Sequence, residues 1–314
     1  MKTTVDYLKF RTRSNPFEIL ESLRPAFGTA SDLVALGEPV KGKDGWEHRR
    51  SLFIADVRIG AIDYGGESQR EWVRVDMPGS GCEWVQDWSK VAALVDVLKE
   101  ATLRRVDIAL TTYDGSVSHE LVIQAHDDKQ FSSGGRHPHR RVVTSSDVRA
   151  GKTVYVGNRD GAKFLRAYEK GMEILQKHVP AWMRAGVTGL DFNGHGRAAV
   201  EDVYRVEVEF KDADGKVLPW PMLVERDAYF SGAYPFCASL LPGAPERKVQ
   251  TMPDFGAKMA LLTQLEHARR AYGSILRTAI EAFGGDRDLV FSMVTADKPS
   301  ERLIQAGVLT VEHQ

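Results

Sequence analysis

"KTVYVGNRDGAKFLRAYEKG", residues 152–171, reads in two ways, and the choice decides the fold. Two short runs of alternating polarity flank a turn-rich stretch, Asn158-Arg159-Asp160-Gly161. Read as strands, the runs form a hairpin. Leu165 and Ala167 then face one side, and Arg166, Tyr168 and Lys170 the other. Read as a helix, "AKFLRAYEKGMEIL" puts Phe164, Leu165, Tyr168, Met172 and Leu175 on one face. Periodicity alone fits both. Gly171 weighs against the helix by about 1 kcal/mol relative to alanine.

The flanking sequence supplies more strands. "VDYLKFRT" (5–12) alternates, and Asn15-Pro16-Phe17-Glu18 follows as a helix start, with Asn as cap, Pro at the first position and Glu at the third. "SLFIADVRIGAIDYGG" and "REWVRVDMPGSGCEWV" read as strands punctuated by glycine. Ser89 is placed to cap a helix, "SKVAALVDVLKEA". "LRRVDIALTTYDG" is a strand and "SVSHELVIQAHDDKQF" a helix, and "SSGGRHPHRR" is loop. "DVYRVEVEFKD" is a further strand, closed by Asp214-Gly215. Helical spacing then runs from about Asp254 to Phe283, ahead of a short mixed tail. This order predicts an α+β fold with a largely antiparallel central sheet and packed helices, in a domain over 1–250 followed by a helical C-terminal region over 251–314. "TVDYLKF" before a helix echoes "RRVDIAL" before a helix, as an internal duplication would.

Three strands share a pattern. Val106 and Ile108 oppose Asp107. Val206, Val208 and Phe210 oppose Arg205, Glu207 and Glu209. Leu165 and Ala167 oppose Arg166 and Tyr168. If these strands pair, carboxylates, cations and a tyrosine meet on one surface. Carboxylates make a hard-oxygen site for a divalent cation. Arg and Lys hold phosphate oxygens. A tyrosine hydroxyl, with a pKa of about 10, becomes a nucleophile when a nearby cation favours its phenolate. An alternating charged strand is equally the mark of a solvated sheet face. His137-Pro138-His139 resembles a metal-binding pair but lies among loop residues.

Composition narrows the class. The 314 residues carry a net charge of -1, against a simple basic nucleic-acid coat. The charge is uneven, with twelve Lys and Arg against four Asp and Glu between Lys129 and Arg184, a footprint for an anionic partner. No apolar run approaches membrane-spanning length. Cys82 and Cys237 stand alone, consistent with a reducing compartment.

Together the motifs resemble the replication initiation factor family: rolling-circle initiators of filamentous phages and small plasmids, related to some conjugative relaxases. "VDYLKF" resembles its opening strand, and "MPGSGCEWV" its Gly-x-Gly-Cys stretch. "RRVDIALTTYDG" resembles its Arg-x-Asp strand, and "YRVEVEF" its Arg-x-Glu-x-Glu strand. "YFSGAYPF" resembles its aromatic block, and residues 151–171 its Tyr-x-Gly-x-Arg turn followed by Arg-x-Tyr-x-Lys.

The resemblance implies an origin-specific nicking-joining endonuclease that uses Mg²⁺ or Mn²⁺ and links a tyrosine to a 5′ phosphate. It makes Tyr168 the nucleophile, with Tyr155 a lesser candidate. It makes Arg166 and Lys170 phosphate contacts, and Asp107, Glu207 and Glu209 metal ligands. The expected DNA contacts are Arg136, Arg140, Arg141, Arg159 and Lys163, within the basic stretch. Where acidic residues are expected after the Arg-x-Asp strand, the chain has Thr111 and Thr112. Under this reading 152–170 is a hairpin. The expected partners are origin DNA, as duplex or extruded single strand, and the host helicase and polymerase, in the cytoplasm of a bacterial cell, with a homodimer as one possible assembly. A relaxase acting at a transfer origin and a non-catalytic DNA-binding regulator are the alternatives.

Overall fold

The computed structural model describes residues 2–132, 135–192, 194–213, 216–250 and 255–299. The expected closing turn at 214–215 and the tail beyond 299 lie outside them. The chain divides into two compact units, Met1–Val249 and Gln250–Gln314.

The first unit is built on one antiparallel sheet. Its strands are β1 (Thr4–Thr12), β2 (Val34–Leu36), β3 (Val40–Lys41), β4 (His48–Ile54), β5 (Val57–Tyr64), β6 (Val73–Pro78), β7 (Thr102–Thr112), β8 (Arg140–Val143), β9 (Thr153–Val156), β10 (Lys163–Tyr168) and β13 (Tyr204–Lys211). β11 (Gly189–Phe192) and β12 (Gly196–Ala199) form a separate hairpin. The sheet order is β2-β4-β5-β6-β1-β7-β13-β10-β9-β8, with β3 also on β4. The α+β expectation holds.

The ambiguous stretch is both things in succession. β10 pairs with β9 as a hairpin, Leu165 opposite Val156 and Tyr168 opposite Thr153. The strand stops at Tyr168, and helix α6 (Lys170–His178) starts two residues later. Gly171 is there for a close approach: a Cβ on it would lie 2.0 Å from the carbonyl oxygen of Val200.

The echo between the two Val-Asp strands also has a structural counterpart. Outward from the centre, β1-β6-β5-β4 mirrors β7-β13-β10-β9. Each half runs strand, helix, hairpin, strand along the chain, with α1 (Pro16–Leu23) after β1 and α5 (His119–Asp127) after β7. The halves meet where β1 pairs with β7. Asp63 lies opposite Arg74 in one half, as Tyr168 lies opposite Arg205 in the other.

One face of the sheet is covered and the other is charged. Leu8, Phe10, Ile62, Val75, Val106, Ile108, Val206, Val208, Leu165 and Ala167 form a single core with residues of α1, α5 and the short helices α2 (Gly79–Cys82), α3 (Trp88–Ala92), α4 (Leu94–Val97), α7 (Arg226–Ser231) and α8 (Pro235–Leu240). Fully burying each large side chain contributes about 1.5–3 kcal/mol, and this fixes which way every strand faces. α1 starts as expected: the Asn15 side chain accepts from the Phe17 and Glu18 amides, and Glu18 accepts from the Asn15 amide. The Ser89 cap is a correction. Asp87 caps instead, accepting from the Ser89 amide and hydroxyl, and the segment divides into the short helices α3 and α4. The second unit contains α9 (Phe255–Ala282) and α10 (Arg287–Val294), the latter capped by Asp286.

Candidate active site

The register of the four central strands gathers the charged side chains on the sheet's open face. Arg166 lies opposite Glu207, and Tyr168 opposite Arg205. Glu209 lies opposite Asp107, and Tyr7 opposite Asp107 on the other side. Arg105, Arg166, Glu207 and Glu209 line a cleft with Tyr155, Phe164 and Arg159.

The three carboxylates are buried, at 2–5 % exposure. Ionised groups at that depth cost several kcal/mol each unless paired, and each has a cation. Both Asp107 oxygens accept from Arg105, at 2.7 and 2.6 Å. Glu209 contacts Arg105 at 2.7 Å and Lys211 at 2.5 Å. Glu207 accepts from Arg166 Nη2 at 2.7 Å. Burial still wins for two of them. It raises the Asp107 carboxyl above its ordinary value and pushes Glu207 up to about 7. The Asp107 charge also raises Glu207.

Tyr168 is buried beside this group. The Arg166 guanidinium lies 4.9 Å from its ring centre and the Lys170 ammonium 5.6 Å. Lys170 is also paired with Glu173. Burial raises the phenol above its ordinary value, and Arg205 is the strongest influence pulling it down. Tyr155 lies on the cleft wall, stacked on Phe164, with Arg141 4.9 Å from its ring centre.

The remaining basic residues divide. Arg159 is exposed on the cleft rim, and Arg136 is exposed. Arg140 is held by Asp127 and the Ile123 carbonyl. Lys163 lies opposite the core residue Phe210, so it is not brought to the open face. Its ammonium donates to the Ala233 carbonyl and packs 3.9 Å over the Tyr234 ring, and burial pushes it down to about 8. In the His137-Pro138-His139 loop, His137 bonds to Ser132 and the Pro138 carbonyl accepts from His126.

Sequence reasoning missed Asp6. An irregularity between Val5 and Tyr7 shifts the β1 register here. Asp6 Oδ1 accepts from Arg205 Nη1 at 2.6 Å, and its charge also reaches Glu207. Thr111, which stands where an acid was expected, accepts from Arg205 Nε at 2.9 Å. The first half thus supplies a carboxylate to the second half's site. The repeated Val-Asp dipeptide was the available signal.

The donor set fits a divalent cation at two carboxylates. Asp107 and Glu207 are close, oxygen-rich and raised in proton affinity, a state that a cation relieves. Glu209 is committed to two basic side chains, and among the described residues no three acidic, His or Cys groups converge as ligands.

Comparison with known proteins agrees with this architecture. The fold is similar to that of a rolling circle replication initiator protein from Geobacillus stearothermophilus, with a TM-score of 0.51 and 17% identity over 77% of this chain and 85% of that one. No curated protein matches the sequence. Residues 101–254, which hold every side chain of the cleft, match the family model described as replication initiation factor. The resemblance to the replication initiation factor family is thus carried by a family-model match over residues 101–254.

Proposed function

We propose that the protein starts rolling-circle replication by nicking one DNA strand at an origin and later rejoining it. Tyr168 is the nucleophile. Its Oη attacks the scissile phosphorus, an O–P bond forms to the 5′ phosphate, and the P–O3′ bond breaks. The phenol loses its proton and the leaving 3′ oxygen gains one. The resulting 3′ hydroxyl primes the host polymerase, and a host helicase opens the strand ahead of it.

Arg166 carries the reading. It bonds Glu207 through Nη2 and lies beside the Tyr168 ring, yet its buried Nε has no acceptor among the described residues. A buried donor left unsatisfied costs about 1–3 kcal/mol. A phosphate oxygen in the cleft meets that donor and brings phosphorus next to Tyr168. When bound, Mg²⁺ or Mn²⁺ would polarise the phosphate and offset its developing charge. Asp107 and Glu207 would hold it. Arg205, fixed by Asp6 and Thr111, holds a positive charge opposite Tyr168. Arg159 and Arg141 lie along the strand's approach, whereas Arg140, opposite the core residue Val156, is turned to α5.

The phenol is protonated in the resting protein, because burial outweighs the neighbouring cations. Its activation therefore comes with the substrate and the metal ion. Tyr155 lines the cleft directly and is the second candidate.

Incubation with supercoiled plasmid carrying the cognate replicon and Mg²⁺ tests the reading. Nicked circles and a protease-sensitive DNA adduct are expected. Tyr168→Phe should lower adduct yield by at least about 10³-fold, and Tyr155→Phe should leave it largely intact. An adduct that persists in Tyr168→Phe and vanishes in Tyr155→Phe moves the nucleophile. Specific binding without adduct favours a regulator.

A further inference from the structure

The open face continues past the cleft. On β1 the alternating side chains Tyr7, Lys9 and Arg11 lead away from the carboxylates, and Arg13 follows. Lys9 is paired with Asp76 at 3.3 Å. Arg11 is different. Among the described residues it forms no ion pair, and its only hydrogen bond is from Nε to Thr102 Oγ1 at 3.2 Å. Its guanidinium carbon lies 4.2 Å from the centre of the Trp72 ring, and that of Arg13 lies 4.7 Å from the same ring. Two guanidinium groups therefore share one indole. Arg104 is close enough that its charge, after burial, is the next influence lowering the Arg11 pKa, and Arg13 adds to it. Arg13 is partly offset by Glu71 and Glu100, and Arg104 by Asp212. Among the described residues Arg11 is thus the one guanidinium of the three with no carboxylate in ion-pair contact.

We propose that Arg11 and Arg13, spread on Trp72, clamp a backbone phosphate of single-stranded DNA whose neighbouring segment lies in the cleft. Trp72 is the positioning residue: its flat face holds two like charges side by side, where an anion bridges them. Arg11 is four residues along β1 from Tyr7, which lies opposite Asp107. That separation is about 13 Å, a few nucleotides of a strand drawn across the sheet. A carboxylate-bearing peptide fits less well, because Asp76, Asp44 and Glu71 also lie on this side. The regular spacing of phosphates lets a nucleic acid pass those acids and still meet the clamp. The inference rests on the reading of the protein as a handler of origin DNA.

The test is fluorescence anisotropy of a labelled oligothymidylate with the full chain in chelator, where no strand is cut. At about 0.1 M salt, Arg11→Gln should weaken binding about fivefold. The slope of log affinity against log salt should shrink by about 0.7, the value for one phosphate contact on a single strand. Trp72→Leu should reproduce the loss, and Trp72→Phe should restore it. Lys90→Gln, an exposed cation on α3 in the helical layer, should change neither quantity beyond its long-range charge. Equal affinity and slope for wild type and Arg11→Gln overturn the proposal. So does a loss in Trp72→Leu that Trp72→Phe does not restore. The nicking reading fails separately: a protein that makes no adduct with any tyrosine yet loses oligonucleotide affinity in Arg11→Gln keeps the clamp and loses the enzyme.

Discussion

Glu207 holds its proton to about pH 7, and this has a measurable cost. In the unfolded chain the carboxyl ionises near its ordinary value of 4.5. Between those values the native state keeps a proton that the unfolded state has lost. Stability of the metal-free protein should therefore fall as pH rises through this window and level off above it, by about 3 kcal/mol. Melting temperature against pH in chelator checks the sign, and Glu207→Gln should flatten the curve. Because the Asp107 charge bears on Glu207, the two titrate as a pair. Much at this scale was legible in the sequence. A charge between Val106 and Ile108 has to leave the core face, and alternation puts Glu207, Arg166 and Tyr168 with it. Asp6 was not legible, because the register shift between Val5 and Tyr7 breaks the alternation on which such reading depends. The inward turn of Lys163 was legible, because the same alternation puts it with Leu165 and Ala167; its partner, the Ala233 carbonyl on the helical side, was not.

Helix and strand competed for residues 163–175, and the outcome was set by a contact distant in sequence. α6 can begin at Lys170 because Gly171 lets the Val200 carbonyl approach. Gly171→Ala gains about 1 kcal/mol of helix propensity. It also drives a methyl into backbone that has no rotamer to change. The clash should outweigh the gain, for a net loss of about 1–3 kcal/mol in chemical denaturation. Unchanged stability would mean that the Val200 segment yields freely. This approach is invisible in local sequence, so Gly171 reads there as a breaker rather than as a packing residue. The start of α1 was legible for the opposite reason: its capping box is wholly local. At Ser89, two cap-forming residues separated by Trp88 competed, and Asp87 supplies the stronger acceptor to the free amide.

The first unit is two like halves joined along one pair of strands. The duplication was only an echo in the sequence, since a Val-Asp dipeptide says little without the strand order that gives it a place. The halves have diverged in chemistry. Where the second carries Tyr168 opposite Arg205, the first carries Asp63, fully buried and gripped by Arg49 and Arg74. One half sets Tyr168 among cations, while the other holds an internal salt cluster and the Arg11–Trp72 platform. The seam between β1 and β7 has a further consequence. Residues 101–254 contain the family's recognisable segment, yet its boundary falls just before β7, in the middle of the sheet. Expressed without its neighbour, that fragment would bare the eleven residues of β7 as a raw edge and strip Arg205 of Asp6. A bare edge of that length is a template for self-association. Residues 101–249 made alone should aggregate. Residues 1–100 co-expressed with them should heal the edge and return a soluble, nicking-competent pair, as a split protein does when its halves are complementary. Size-exclusion chromatography of the two preparations decides the matter, and a soluble monomer from 101–249 alone would show the seam to be dispensable.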